Sequence, residues 1–162
     1  MNTQNFTISY ENFKGIEELS GIDKMLCLKA KEALATSHSP YSKFRVGTAI
    51  LLVDDQIVLG SNQENVAYPS GLCAERVALF YIGSNSPNAI IKSMAITAQT
   101  DNFKIVNPVT SCGGCLQVMI EAEKRQNSPI EVLFYCIDGQ ILKVKSVKSL
   151  IPFAFVEDRL ER

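Results

Sequence analysis

The chain has 162 residues, of which 46% are apolar and 20% are charged, and its formal net charge is −1. A chain of this length predicts one domain over residues 1–162, able to bury roughly 68–70% of its unfolded surface without disulfides. Acidic and basic residues are spread along the chain, which argues against a nucleic-acid partner because phosphate binding needs concentrated Lys and Arg. The balance favours a small, nearly neutral molecule as the substrate.

No stretch reaches the roughly 18 consecutive apolar residues of a membrane span, so we expect no membrane partner. The first ten residues are polar and lack the basic-then-apolar order of a signal peptide. The sequence therefore predicts a cytoplasmic protein. In that compartment five cysteines, an odd number, are expected to be metal ligands or buried thiols rather than a disulfide framework.

The first predicted element is a helix over residues 21–36, where apolar residues recur at helical spacing after a capping-box pattern of Ser20 and Asp23. Residues 1–18 carry no clear period and are predicted to form an N-terminal arm. Cys27 lies inside the helix and is interpreted as a core thiol, since free Cys is among the most buried residue types.

Past the helix, the single histidine, His38, lies beside Ser39-Pro40. It is compatible with a metal ligand, but a turn residue is the interpretation we prefer. Two strands joined by a short turn are predicted over residues 45–53 and 56–60. Phe44 opens the first strand, where the pattern alone fits core packing as well as a role in a site.

Residues 61–72 form a loop by composition, with Asn, Pro and Gly as breakers. The loop carries Asn62 and Glu64 shortly before a cysteine. A polar loop that leads into a metal site is a suitable place for contacts to substrate hydroxyls. Taken alone, its composition equally fits a solvated connection.

The second half of the chain alternates helices and strands. A predicted helix begins at Cys73 and ends at Gly83, and a strand follows over 91–98. A further helix begins at Cys112, where Thr110 and Ser111 can cap it. Two strands over 130–136 (with Cys136 as a core thiol) and 140–145 and a short helix near 147–151 complete the predicted elements. This order predicts an α/β fold of three layers, α/β/α, around a five-stranded mixed sheet, with an antiparallel hairpin at one end and βαβ crossovers elsewhere.

Two short motifs carry the chemistry, Cys73-Ala74-Glu75-Arg76 and Cys112-Gly113-Gly114-Cys115. Together they supply three thiolates and one carboxylate. A zinc ion held by three protein ligands keeps its fourth position open, which is typical of a catalytic rather than a structural site. Glu75 lies two residues from Cys73, close enough to move protons there. The motifs predict hydrolytic zinc chemistry.

All three cysteines fall at predicted helix N-termini, where unpaired N–H groups and the helix dipole favour the thiolate. Three thiolates would leave a Zn²⁺ site with a net charge of −1, and Arg76, one turn after Cys73, is predicted to offset it by donating to sulfur. One alternative stays open, because a lone C-x-x-C is weakly specific. It is a structural zinc whose fourth ligand comes from Cys27, Cys136 or His38.

From about Ser37 to Phe155 the chain resembles the small zinc-dependent cytidine deaminases. The resemblance rests on four motifs in the same order: Ser39-Pro40-Tyr41-Ser42-x-Phe44-x-Val46-Gly47, Asn62-x-Glu64-Asn65, Cys73-Ala74-Glu75-Arg76 and Cys112-Gly113-Gly114-Cys115-x-Gln117-Val118-Met119. It implies hydrolytic deamination of cytidine and deoxycytidine in pyrimidine salvage, by a homotetramer with shared active sites and one zinc per subunit.

The resemblance also implies a role for individual residues. Cys73, Cys112 and Cys115 would be the zinc ligands and Glu75 the proton shuttle. The residues that would contact substrate are Asn62 and Glu64 at the ribose hydroxyls, Phe44 beside the base, Ala74, and Phe155 reaching into a neighbouring subunit's pocket.

The chain departs from the family pattern at two positions. Ser111 stands where the family usually has Pro, and Leu116 stands where it usually has Arg. Leu116 removes a positive charge next to a ligand, which puts rate and substrate range in question more than reaction type. Other functions stay open: deamination of another cytosine-bearing compound, such as a blasticidin-S-type nucleoside, or a non-catalytic zinc-stabilised binding module. Polynucleotide editing is disfavoured, since the sequence has no basic track.

Overall fold

The computed structural model describes residues 1–19 and 21–160, which form three α-helices and six β-strands. Their bounds in chain order are β1 Glu11–Phe13, α1 Gly21–Ala33, β2 Phe44–Leu52, β3 Ile57–Ser61, α2 Ala74–Asn85, β4 Ile91–Thr100, α3 Gly113–Gln126, β5 Glu131–Tyr135 and β6 Ile141–Val144. Ser20, the predicted start of the capping box, lies outside the described residues. None of the helices in the described ranges combines the length and the apolar character that a membrane crossing requires.

The six strands form one mixed sheet in the order β1-β6-β5-β4-β2-β3. β4 and β5 are parallel, and the other neighbouring pairs are antiparallel. The chain passes from β3 to β4 through α2 and from β4 to β5 through α3, whereas β2 and β3 form the predicted hairpin. Helix α1 covers one face of the sheet, and α2 and α3 cover the other. The predicted three-layer α/β/α architecture is confirmed.

The sheet has six strands rather than the predicted five. The additional strand, β1, comes from the segment predicted to be an arm, and it pairs with β6 through Glu11–Lys143 and Phe13–Ile141. Phe13 also packs against the core under α1. A strand of three residues is too short to show an alternating pattern in the sequence, which is why it was missed.

The core consists of two clusters, one on each face of the sheet. Successive residues of the central strand β2 point to opposite faces, so Ile50 packs under α2 and α3 and Leu51 packs under α1. β2, β4 and β5 are covered on both faces, and most of their residues are accordingly buried. The largest fully buried side chains include Phe134, Leu26, Ile50, Leu51, Met94, Ile96, Met119 and Leu133.

Two glycines allow helices to lie directly on the sheet. A Cβ at Gly47 in β2 would overlap the carbonyl oxygen of Ala30 in α1. A Cβ at Gly60 in β3 would lie 2.6 Å from the carbonyl oxygen of Ala74 and 2.9 Å from the Cβ of Ala78, both in α2. The second contact fixes the first turn of α2, next to Cys73, against the strand.

Predictions about helix ends were partly wrong. Gly83 does not end α2, which continues to Asn85, because one glycine costs a helix only about 1 kcal/mol. Thr110 and Ser111 do not cap α3: the N-cap residue is Cys112, and no side chain caps that end. The short helix expected near residues 147–151 is a single 3₁₀ turn over Val147–Ser149.

One buried carboxylate links α3 to the chain that surrounds β5 and β6. Glu123 is 8% exposed. Its oxygens accept hydrogen bonds from the backbone N–H groups of Ile130 (2.9 Å), Val147 (2.8 Å) and Lys148 (3.3 Å) and from the Ser146 hydroxyl (2.7 Å). Charged acceptors with several donors are among the stronger polar contacts in proteins. Glu123 therefore fixes both ends of the last hairpin relative to α3.

We expect Glu123→Ala to lower the free energy of unfolding by about 3 kcal/mol, because it leaves buried backbone N–H groups without acceptors. Urea unfolding followed by circular dichroism measures the change. Glu121→Ala, an exposed carboxylate on the same helix, is the matched control and should shift the midpoint little. Equal midpoints for the two variants would contradict the structural role of Glu123.

Candidate active site

Two helix N-termini bring three cysteines together. Cys73 is the N-cap residue of α2, Cys112 is the N-cap residue of α3, and Cys115 lies in the first turn of α3. The three sulfurs lie within 4.8 Å of one another, and the Sγ atoms of Cys112 and Cys115 are 3.5 Å apart. Tetrahedral zinc with Zn–S bonds of about 2.3 Å would separate its sulfur ligands by roughly 3.8 Å. This donor set fits zinc.

The residues considered as a fourth structural ligand do not join this group. Cys27 is a buried residue of α1, on the opposite face of the sheet. The Cys136 thiol donates to the carbonyl oxygen of Ile105. His38 forms backbone hydrogen bonds with the loop after β3, at Asn62 and Glu64. Among the described residues, the metal-binding group thus consists of three thiols, as an open zinc site requires.

Hydrogen bonds within the group favour one thiolate. The Cys115 thiol and the Arg76 guanidinium donate to the sulfur of Cys73 and lower the pKa of Cys73 to about 6. The Nη2 of Arg76 lies 3.8 Å from that sulfur. The same contact with Cys73, together with burial, raises the pKa of Cys115. The predicted contact between Arg76 and a thiolate is present, and the Nε of Arg76 is buried without a hydrogen-bond partner.

Glu75 is a buried carboxylate beside the thiol group. It is the second residue of α2 and is 3% exposed. The Ser111 hydroxyl donates a hydrogen bond of 2.7 Å to its Oε1. Glu75 lines the same cavity as Cys73 and Cys112. A buried carboxylate that shares a cavity with a metal-binding group is suited to proton transfer there.

The cavity has a volume of about 510 Å³ and opens between the loops that flank β2, β3 and α3. Its size lies within the 300–1,000 Å³ range usual for pockets that hold small molecules. Three of the predicted substrate residues, Phe44, Asn62 and Glu64, line it together with Glu75. The structure therefore brings the polar loop and the thiol group to one space.

Asn62 is held in place by its own hydrogen bonds. Its Oδ1 accepts from the Ser37 hydroxyl (2.6 Å) and from the backbone N–H of Val46 (2.8 Å), and its Nδ2 donates to the carbonyl oxygen of Phe44 (2.9 Å). An amide has two acceptor sites and two N–H donors. Both acceptor sites of Oδ1 and one N–H of Nδ2 are used. The second N–H of Nδ2 therefore remains for a ligand.

Glu64 lines the cavity, and donors from the loop before β2 hold its carboxylate. Its Oε2 accepts from the backbone N–H groups of Tyr41 (2.9 Å) and Ser42 (3.3 Å). The Ser42 hydroxyl and these two N–H groups hold the pKa of Glu64 below its ordinary value. Glu64 is therefore an ionised acceptor at neutral pH.

Two aromatic residues that the sequence analysis missed lie in the cavity wall or next to it. The ring of Phe44 packs against Phe103 of the β4–α3 loop, with centroids 6.3 Å apart. An ion pair between Arg45 and Asp101 (2.6 Å) ties that loop to β2. Tyr68 lines the cavity. Loop residues have no periodicity, and only the position of Tyr68, shortly after the Asn62-x-Glu64 pair, offered a signal.

Three residues named from the sequence lie elsewhere. Phe155 is 72% exposed, and its backbone N–H and C=O pair with the side-chain amide of Gln117 (3.1 and 2.7 Å). Ala74 is fully buried at the start of α2, where its carbonyl oxygen lies against Gly60 of β3. Leu116 packs against the core between α2, α3 and the sheet. Its apolar side chain thus has a packing role where a charge was expected.

The family model for the cytidine and deoxycytidylate deaminase zinc-binding region matches residues 21–128. A cytidine deaminase of Halalkalibacterium halodurans is 34% identical over 137 residues, covering 83% of this chain and 95% of that protein. One of Sporosarcina psychrophila is 35% identical over 139 residues, covering 86% of this chain and 94% of that protein.

Solved structures agree with these matches. The crystal structure of cytidine deaminase from Burkholderia pseudomallei superposes with a TM-score of 0.69 at 34% identity, covering 81% of this chain and 97% of that chain. The structure of cytidine deaminase from Mycobacterium tuberculosis gives a TM-score of 0.65 at 26% identity, covering 85% of this chain and 100% of that chain. The match thus extends over most of the three-layer fold.

We expect the purified chain to retain about one zinc ion per chain after dialysis, as a three-thiolate site should. Cys112→Ala should lose the zinc, because only two thiolate ligands would remain. Cys27→Ala removes a thiol outside the group and should keep the metal. Inductively coupled plasma mass spectrometry measures the ratio of zinc to protein. Full zinc content in Cys112→Ala would contradict the assignment.

Proposed function

We propose that this chain, which belongs to the cytidine and deoxycytidylate deaminase family, hydrolyses cytidine and deoxycytidine to uridine and deoxyuridine with release of ammonia. The observation that carries the proposal is a buried carboxylate, Glu75, in the same cavity as three converging thiols. The names of the related proteins support a nucleoside as the substrate. We assign the reaction to pyrimidine salvage.

Cys73, Cys112 and Cys115 are the proposed zinc ligands. Zinc held by these residues would act as a Lewis acid and would lower the pKa of the water bound to it toward neutrality. Glu75 accepts a proton from the attacking water and delivers it to the ring nitrogen as the oxygen adds to the amidine-like ring carbon. Glu75 then transfers the hydroxyl proton to the exocyclic amine, the carbon–nitrogen bond breaks, and a ring carbonyl and ammonia result. Proton transfer by a positioned group typically contributes about 10²–10⁴-fold.

Arg76 is the proposed electrostatic support of this site. Its Nη2 lies 3.8 Å from the Cys73 sulfur, and a guanidinium carries a permanent positive charge. Three thiolates would otherwise leave the metal group with excess negative charge. The positive ends of α2 and α3 act in the same direction.

Loop residues would select a nucleoside. The second N–H of Asn62 would donate to one ribose hydroxyl, and the carboxylate of Glu64 would accept from another. The ring of Phe44 would pack beside the planar base. The backbone N–H of Ala74, in the first turn of α2, would donate to the base, because helix N-termini leave such groups unpaired.

The proposed assembly is a homotetramer in which Phe155 completes a neighbour's cavity. Phe155 projects from the tail, outside the cavity of its own chain, while Gln117 fixes its backbone. Phe80 and Tyr81 expose half of their surface or more on α2, and exposed aromatic residues are enriched at interfaces. We place the protein in the cytoplasm, since all five cysteines are unpaired and thiolate ligands must stay reduced.

We expect Glu75→Gln to lower kcat for cytidine by about 10²–10⁴-fold while zinc content stays unchanged. The ultraviolet absorbance change of cytidine on deamination measures turnover, and treatment of the parent enzyme with a chelator should abolish it. Glu121→Gln, on the exposed face of α3, is the matched control. A chain that binds zinc but turns over neither cytidine nor deoxycytidine would instead be a non-catalytic module.

The proposed contact of Glu64 with the ribose can be tested separately. Glu64→Gln should raise KM for cytidine by about 10- to 100-fold with a smaller effect on kcat, because it removes a charged acceptor of a ribose hydroxyl. Glu32→Gln, on the outer surface of α1, is the control. Unchanged KM for cytidine would favour a different cytosine-bearing compound, such as a blasticidin-S-type nucleoside, as the natural substrate.

A further inference from the structure

We propose that Ser111 is a positioning residue for Glu75, holding one oxygen of the carboxylate so that the other is free to carry the reacting proton. This inference rests on the proposed role of Glu75 and adds a residue that acts through it. Ser111 is not assigned any contact with zinc or substrate.

The hydrogen bond that supports the proposal is short and largely screened from water. The Ser111 Oγ lies 2.7 Å from the Oε1 of Glu75, whose side chain is 3% exposed. This distance is typical of a hydroxyl donating to a charged carboxylate. The two residues lie 36 positions apart in the chain. The bond therefore joins the start of α2 to the loop that enters α3.

The local alternative for Ser111 is a helix cap, and the structure does not support it. The N-cap residue of α3 is Cys112, and no side chain caps that helix end. The partner that the structure gives to the Ser111 hydroxyl is Glu75. A proline at position 111, which the family pattern would have there, has no hydroxyl to donate. The contact therefore depends on the hydroxyl of Ser111.

The contact has a defined effect on proton transfer. The terminal torsion of a Glu side chain is broad, so a carboxylate without a partner samples many orientations. Proton transfer needs heavy atoms within about 2.6–3.2 Å. With Oε1 held by Ser111, Oε2 is the oxygen that exchanges protons with water, ring nitrogen and amine. A hydroxyl can both donate and accept, so the contact can persist while Glu75 carries a proton.

A double-mutant cycle tests the proposal. We expect Ser111→Ala to lower kcat for cytidine by about 10-fold, in line with the loss of one hydrogen bond to a charged group, with KM nearly unchanged. Ser111→Thr keeps a hydroxyl and should restore most of kcat. In a Glu75→Gln background, Ser111→Ala should cause no further loss, because the group on which Ser111 acts no longer carries protons. Ser149→Ala, distant from the site, is the control for a Ser-to-Ala change.

Two measurements besides turnover accompany the cycle. Zinc content and the affinity for the product uridine should be the same in Ser111→Ala as in the parent, since Ser111 is proposed to act on proton transfer alone. Loss of zinc from Ser111→Ala would overturn the proposal and give Ser111 a role in shaping the Cys112 loop. Retained zinc with unchanged uridine affinity and lowered kcat supports it.

The remaining outcomes separate this inference from the proposed function. Unchanged kcat in Ser111→Ala, or an equal loss in the Glu75 and Glu75→Gln backgrounds, would overturn the inference and leave the proposed function intact. Full activity of Glu75→Gln would overturn the role of Glu75 itself. If Ser111→Ala fails to fold, Ser111→Thr and Ser111→Val decide: the variant with a hydroxyl should sustain kcat, and the similarly shaped variant without one should not.

Discussion

The site depends on one arrangement, the meeting of two helix N-termini at the same edge of the sheet. α2 and α3 begin next to each other, and each places a cysteine at its N-cap. The unpaired N–H groups and positive dipole ends of both helices favour negative charge at that point. The close contact of α2 with Gly60 fixes one of these ends. The three-layer fold thus places three sulfurs and a carboxylate before any ligand is bound.

A second constraint acts on the cavity wall: polar groups near the core need hydrogen-bond partners. Asn62 satisfies both of its acceptor sites within the protein, and Glu64 uses one oxygen on the loop before β2. These internal bonds remove rotational freedom from the side chains and leave a defined donor and a defined acceptor free. The hydrogen bonds that hold the loops against the sheet therefore also orient the side chains that would contact a small molecule.

Local patterns in the sequence predicted the elements that are long or strongly apolar. Most of the site residues that the motifs singled out line the cavity. What could not be predicted depends on contacts between distant segments. β1 is defined by its pairing with β6, and Glu123 gains its partners from four residues beyond α3. Ser111 was predicted as a cap because caps are local, whereas its partner comes from another helix.

The sheet presents short strands at both ends. β1 has three residues and β3 has five, and these are the outermost strands of the described residues. Long, unpaired strand edges are templates on which other chains add by backbone hydrogen bonding, and short ones offer few such groups. The β1 edge in particular therefore offers few backbone groups on which another chain could add a strand.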